Sequence, residues 1–121
     1  ASSTAYQAIP NMSLYAATKV FVLNFSRGLH HEWKPKGVVV TAVSPGATST
    51  NFNDRANLQA KARKAAEKIT MTPESVAKLA VDGMFAGKIE VITGFVNKLS
   101  AFLAWVAPKA MSEKIAKGIY E

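Results

Sequence analysis

The sequence predicts an α/β fold in which short parallel strands are covered by helices. Half of the 121 residues are hydrophobic (49%) and 19% are charged, which suits one domain with a well-formed core. Two short apolar, β-branched runs, GVVVTAVSPG (37–46) and IEVIT (89–93), are typical of strands buried on both faces. Because helical patterns separate these runs, they are expected to pair in parallel as a βαβ unit.

The first helix is predicted from Ser13 to about residue 34, after a loop at 1–12. Ser13 is its expected cap, and Pro35 and Gly37 are expected to end it. The first half of the helix is apolar nearly all round, so we expect the sheet to cover one side and a second subunit to cover another.

The remaining elements follow from turn and capping signals. After the first strand we predict a polar loop over 47–53 and a basic, alanine-rich helix over 54–69. A clear helix start at TPES (72–75) predicts a helix to about residue 86, ended by a glycine. Two last helices are predicted over 95–107 and 109–120. Two strands are too few to cover these helices, so we expect further strands upstream of residue 1 or in another chain.

The bulk composition excludes several protein classes. No apolar run reaches the ~20 residues that span a bilayer. The chain has no cysteine, which excludes disulfides and thiolate metal sites and fits a reducing cytoplasm. His30 and His31 have no third ligand at metal spacing, so we expect a structural role and no metal site.

The net charge of +7 leaves two interpretations open. Such an excess can attract nucleic acid or anionic lipid. The lysines are nevertheless scattered outside KARKAAEK (61–68), which favours a solvated basic helix and no nucleic-acid partner.

Tyr15 and Lys19 are the strongest candidates for chemistry. They lie four residues apart on the predicted helix, so they share a face with the ammonium near the phenol. A positive charge at ~4 Å, at an effective dielectric near 20, stabilises the ionised phenol by about 4 kcal/mol. That is enough to favour transfer of the phenolic proton. The alternative is a surface aromatic beside a snorkelling lysine. Ser2, thirteen residues before Tyr15, and the strand end Ser44-Pro45-Gly46 favour the catalytic interpretation.

In this order the residues resemble the short-chain dehydrogenase/reductase family. The resemblance rests on ASSTAYQAIPNMSLYAATK (1–19) and VSPGATSTNF (43–52), which hold a serine, a Tyr-x-x-x-Lys and a strand ending in Pro-Gly before a threonine. The segments TPESVAKLAVDGMFAGK (72–88) and IEVITG (89–94) resemble the family's penultimate helix and last strand.

The resemblance covers nearly all of this chain but only the carboxyl half of a family member. The family's Thr-Gly-x-x-x-Gly-x-Gly phosphate turn, its Asn-Ala-Gly segment and a further catalytic asparagine have no counterpart. It therefore implies that residues 1–121 are the carboxyl-terminal half of a single doubly wound, Rossmann-type domain whose phosphate-binding half is absent. We expect activity in the full-length parent and not in this fragment alone.

The resemblance also implies a function: an oxidoreductase that uses NAD or NADP to interconvert a small-molecule carbonyl and an alcohol by hydride transfer. Tyr15 would give or take the proton, Ser2 would hydrogen-bond the same oxygen, and Lys19 would tune Tyr15 and bind the nicotinamide ribose. Ser3 is a less favoured substitute for Ser2. The residues expected to line the cofactor are Tyr15, Lys19, Pro45, Gly46, Thr48 and Thr50, although the last two could instead cap the next helix.

Further expectations concern partners. The resemblance implies a homo-oligomer through the helix 13–34, and a lid over the pocket is predicted at 51–70. The sequence does not distinguish NAD from NADP, because the residues that bind the ribose 2′ position are expected upstream. The aromatic segment 95–107 is interpreted as a pocket wall or oligomer contact rather than a membrane contact. The competing hypotheses are a non-enzymatic basic helical module that binds an anionic partner or membrane surface, and an inactive fragment.

Overall fold

The computed structural model describes residues 1–48 and 70–120, with Tyr120 described by its backbone alone. The predicted helix 54–69, most of the predicted loop 47–53, the predicted lid at 51–70 except for its last residue, and Thr50 lie outside the described residues.

The segment before the first helix is more ordered than the predicted loop. Residues Ser3–Tyr6 form one turn of 3₁₀ helix, and Ser2 caps it by accepting a hydrogen bond from the Thr4 N–H at 3.3 Å. Serine suits a cap because its short side chain reaches the unpaired N–H groups of the first turn. Ser2 is thereby fixed at the start of a defined turn.

Helix α1 spans Ser13–Trp33 and ends as predicted, in a short 3₁₀ turn that contains Pro35 and stops at Gly37, where φ is +76°. The prediction that Ser13 caps the helix is wrong. Met12 occupies the cap position without a side-chain hydrogen bond. The Met12 N–H donates to the Ile9 carbonyl at 3.0 Å, which closes a backbone turn just before the helix. Ser13 is therefore the first helical residue.

Strand β1 spans Ala42–Ser44 and strand β2 spans Glu90–Ile92, and they pair in parallel with Ala42 opposite Glu90 and Ser44 opposite Ile92. The predicted parallel arrangement is confirmed. Both strands are shorter than the apolar runs, because ladder hydrogen bonds form only where the two backbones run side by side in the described part of the chain. Beyond β1, a single parallel bridge joins Thr48 to Met71.

Helix α2 spans Pro73–Phe85 and begins as the sequence predicts: the Thr72 hydroxyl accepts from the Ser75 N–H at 3.2 Å, and Pro73 takes the first position. The chain leaves it through Gly87, at φ +71°. A side chain at Gly83 would overlap Val91, so this glycine lets α2 lie directly on β2.

Helix α3 spans Phe95–Val106 and helix α4 spans Lys109–Tyr120, separated by Pro108 as predicted. No helix in the described ranges is both long enough and apolar enough to cross a membrane.

Within residues 1–48 and 70–120, buried apolar residues form two small clusters. Ala5 of the 3₁₀ turn, Leu23 of α1 and Ala42 of β1 form one, and Ile9, Ala16 and Ala116 form the other. The first cluster packs the 3₁₀ turn against both α1 and β1. The fold thereby gathers the Ser2 turn, helix α1 and the carboxyl end of β1 in one place.

Candidate active site

Tyr15 and Lys19 contact each other in the first turns of α1. Both side chains are partly buried, and the Lys19 Nζ lies over the Tyr15 ring, 5.3 Å from its centroid. The ammonium therefore faces the π-system of the ring, a geometry that is electrostatically favourable. The spacing of four residues does bring the two side chains together on one helix face.

Ser2 lies beside the carboxyl end of β1. The N–H of its neighbour Ser3 donates to the Pro45 carbonyl at 2.9 Å, which ties the 3₁₀ turn to the strand end. Ser2 is buried, and its hydroxyl accepts one bond from the turn, which leaves the hydroxyl proton available for donation. A serine in this state can stabilise negative charge on an oxygen placed next to it.

Helix α1 packs against the same segment. Val20, the neighbour of Lys19 in α1, and Ala1 both pack against the cluster of Ala5, Leu23 and Ala42.

The Pro45-Gly46 segment is closely covered by helix α3. A side chain at Gly46 would overlap the amide group of Asn97, which is buried and donates to the Thr93 carbonyl at 2.7 Å. Glycine suits this position because the Asn97 side-chain amide occupies the space that a Cβ would take. The hydroxyl of Thr48 donates to the Gly46 carbonyl at 3.3 Å and closes the turn that follows.

This close approach yields a stability prediction for the full natural protein. Gly46→Ala should lower the free energy of unfolding by about 1–3 kcal/mol, because an added methyl overpacks the contact with Asn97. The measurement is urea denaturation. Gly28→Ala is the matched control: nothing lies within 4 Å of a side chain there, and alanine in a helix should stabilise by about 0.5–1 kcal/mol.

The contact itself is tested by adding Asn97→Ala to Gly46→Ala. Asn97→Ala removes the overlapping amide. Gly46→Ala should therefore lower the free energy of unfolding less in the Asn97→Ala background than in the wild type. An equal cost in both backgrounds would show that Asn97 does not limit the space at Gly46.

A buried polar cluster around Glu90 was not predicted from the sequence. The Glu90 carboxylate accepts hydrogen bonds from the Tyr6 hydroxyl, from Ser44 at 2.8 Å and from Arg27 at 3.1 Å. Burial, and next the hydrogen bond to Glu90, raises the pKa of the Tyr6 phenol above its ordinary value, so Tyr6 acts as a neutral donor. The available signal was the glutamate itself, since a charge inside an apolar strand needs partners.

The two histidines lie away from Tyr15 on α1. His30 is buried, and its Nδ1 is 2.7 Å from the Val40 carbonyl oxygen, while its ring meets the His31 ring edge to face. This hydrogen bond gives His30 the structural role expected. Among the described residues, no group of three or more His, Cys, Asp or Glu side chains is placed to hold a metal ion.

Comparisons with known proteins identify the family of this chain. A family model described as short chain dehydrogenase matches residues 1–61, which include Ser2, Tyr15, Lys19 and the Pro45-Gly46 segment. No solved structure matches the chain.

Three curated relatives illustrate the similarity. Human 17-beta-hydroxysteroid dehydrogenase type 3 is 30% identical over 95 residues, covering 77% of this chain and 30% of that protein. The 11-beta-hydroxysteroid dehydrogenase-like 4A of Arabidopsis thaliana is 30% identical over 115 residues, covering 94% of this chain and 38% of the relative. The very-long-chain 3-oxoacyl-CoA reductase of Anas platyrhynchos is 48% identical over 44 residues, covering 36% and 14%.

The chain therefore spans between 14% and 38% of the length of these relatives. The family model covers half of the chain, and the human relative aligns with more than two thirds of it. The two parallel strands with their helices are part of an α/β, Rossmann-type fold, and the chain belongs to the short-chain dehydrogenase family.

Proposed function

We propose that the full natural protein containing this chain is an NAD(P)-dependent oxidoreductase that interconverts a carbonyl and an alcohol. The observation that carries the proposal is the contact between Tyr15 and Lys19 on the helix that packs against the Ser2 turn. The Ser2 turn is also hydrogen-bonded, through the Ser3 N–H, to Pro45 at the carboxyl end of β1. In parallel α/β sheets, ligands bind outside the carboxyl ends of the strands.

In the proposed reaction, the bound nicotinamide supplies or accepts the hydride. Tyr15 gives its phenolic proton to the carbonyl oxygen during reduction and takes a proton from the alcohol during oxidation. Ser2 donates a hydrogen bond to the same oxygen and stabilises the charge that develops on it. The Lys19 ammonium lies over the Tyr15 ring and helps to hold that ring in place.

The donor set fits a nicotinamide nucleotide. The Lys19 ammonium and the Tyr15 hydroxyl are donors suited to ribose hydroxyls, and we propose that the turn of Pro45, Gly46 and Thr48, which is bonded to the Ser2 turn, lines the same nucleotide. Two buried hydroxyl oxygens near this end of the sheet, Thr4 Oγ1 and Thr93 Oγ1, have no hydrogen-bond partner among the described residues. Buried polar groups normally have a hydrogen-bond partner. The two unpaired hydroxyl oxygens therefore support a further polar group, such as part of the nucleotide, in contact with this region.

The relatives support an apolar substrate class. Their names specify a 3-oxoacyl-CoA in one case and hydroxysteroids in others. Helix α3 begins directly after β2 and exposes aromatic side chains, of which Trp105 is 84% exposed. We propose a substrate in which the carbonyl is attached to a large apolar group.

The experiment follows nicotinamide absorbance with the full protein, NADH or NADPH, and three substrates: a 3-oxoacyl thioester, a ketosteroid and a small polar aldehyde. We expect turnover with one of the two apolar ketones and little with the aldehyde. A protein that binds neither nucleotide and reduces none of the three would contradict the proposal.

The homo-oligomer is proposed to form through the outer face of α1. Leu14, Phe21 and Phe25 are exposed there, and the two phenylalanine rings stack with centroids 6.0 Å apart. We further propose a reducing compartment such as the cytoplasm, since the sequence has no cysteine.

A second candidate is a non-enzymatic module that binds an anionic surface. The net charge of +7 and the exposed apolar residues of α3 favour it. This function requires binding to acidic vesicles that weakens steeply with salt and is unchanged by Tyr15→Phe. Turnover without such binding would exclude it.

A further inference from the structure

Glu90 is the point at which three separate segments of the site meet. Its Oε1 accepts from Tyr6, in the turn after Ser2, and from Ser44, at the end of β1. Its Oε2 accepts from Arg27 of α1 at 3.1 Å. Both carboxylate oxygens are therefore occupied by donors from elements that carry proposed site residues.

The cluster extends from the interior, at Ser44, to the surface, at Arg27. The Glu90 side chain is 12% exposed and the Arg27 side chain 45%, while Ser44 is fully buried. A partly buried carboxylate is stabilised by several hydrogen-bond donors, because an unpaired polar group away from water costs free energy. Each of the three donors is therefore held at a defined oxygen of the Glu90 carboxylate.

The Ser2 turn has few other attachments to the sheet. Ala5 is the buried residue within Ser3–Tyr6, and an alanine methyl contributes little packing energy. The turn is held at its start by the bond from Ser3 to Pro45 and at its end by the bond from Tyr6 to Glu90. Removing the second bond would loosen the attachment of the turn to β2 and leave its position to the first bond and the packing of Ala5.

From this we infer that Glu90 is a positioning residue, which holds the Ser2 turn and helix α1 in register through Tyr6, Arg27 and Ser44. The inference rests on the proposed oxidoreductase function. Glu90 and Tyr6 contact no substrate or cofactor group in this account; they act by placing the Ser2 hydroxyl relative to Tyr15. A displacement of about 1 Å at a reacting group can cost on the order of 10²-fold in rate.

The test measures kcat and KM of the full protein for Tyr6→Phe, Glu90→Gln and the double variant. Phenylalanine keeps the ring and removes only the hydroxyl. We expect kcat to fall about 10–100-fold in Tyr6→Phe, with the KM values for substrate and cofactor close to those of the wild type. Since Glu90→Gln weakens the contact that Tyr6→Phe removes, the double variant should lose less than the product of the two single losses.

Asp82→Asn is the matched control. It disrupts the ion pair of Asp82 with Lys78, at 2.9 Å, in which both partners are exposed, and exposed pairs contribute little. Its kcat should equal that of the wild type. The control shows whether loss of any carboxylate charge lowers kcat.

A wild-type kcat in Tyr6→Phe, alongside an inactive Tyr15→Phe, would overturn the positioning role and leave the proposed function intact. A fully active Tyr15→Phe would instead overturn the proposed function. If Tyr6→Phe does not fold, Arg27→Gln takes its place, because that side chain is half exposed; an unchanged kcat there would likewise overturn the positioning role.

Discussion

Tyr15→Phe should lower kcat/KM of the full protein for carbonyl reduction by about 10²–10⁴-fold, the usual contribution of a positioned general acid. The change removes one hydroxyl and keeps the ring that Lys19 covers. The packing of α1 should therefore be unaffected. Rates are followed by nicotinamide absorbance at saturating cofactor.

Thr18→Ala is the control for this change. Thr18 lies exposed in the same helical turn, and its hydroxyl donates to the Tyr15 carbonyl at 2.7 Å. Its loss also removes one hydroxyl from α1, yet the rate should stay close to that of the wild type. Wild-type kcat/KM in Tyr15→Phe would show that the proton comes from another group.

Ser2→Ala should lower kcat by about 10²–10³-fold, the effect expected when a donor to a developing oxyanion is lost. The change also removes the cap of the 3₁₀ turn, which should cost about 1 kcal/mol of stability by analogy with helix caps. Urea denaturation separates this loss from the catalytic effect. Ser2→Thr, which keeps a hydroxyl, should recover part of the rate.

Ser3→Ala tests the neighbouring hydroxyl. The Ser3 backbone N–H that bonds Pro45 is retained in this variant, so the turn should stay attached and kcat should remain near the wild-type value. If Ser3→Ala loses the rate and Ser2→Ala keeps it, the oxyanion role belongs to Ser3.

The local part of the structure could be predicted from the sequence. Thr72 and Pro73 specify a helix start through neighbours only a few residues away, and the structure confirms it. Gly87 likewise ends α2 at a positive φ. The motif around Tyr15 pointed to the short-chain dehydrogenase family, which the family model confirms.

Features that depend on distant residues were not predictable. The strands are shorter than their apolar runs because the extent of a strand depends on the neighbour that pairs with it. Tyr6 and Glu90 are 84 residues apart in sequence, so neither signals the other. The contact of Asn97 with Gly46 is of the same kind, because only the packing of α3 brings the two together.

The central claim is that the Ser2 and Tyr15 hydroxyls act on one substrate oxygen. The direct measurement is a crystal structure of the full protein with nicotinamide nucleotide and a carbonyl-containing inhibitor bound. The account predicts Ser2 Oγ and Tyr15 Oη each within about 2.6–3.2 Å of the same inhibitor oxygen. Inhibitor bound with its carbonyl away from Tyr15, or with only other side chains bonded to that oxygen, would contradict it.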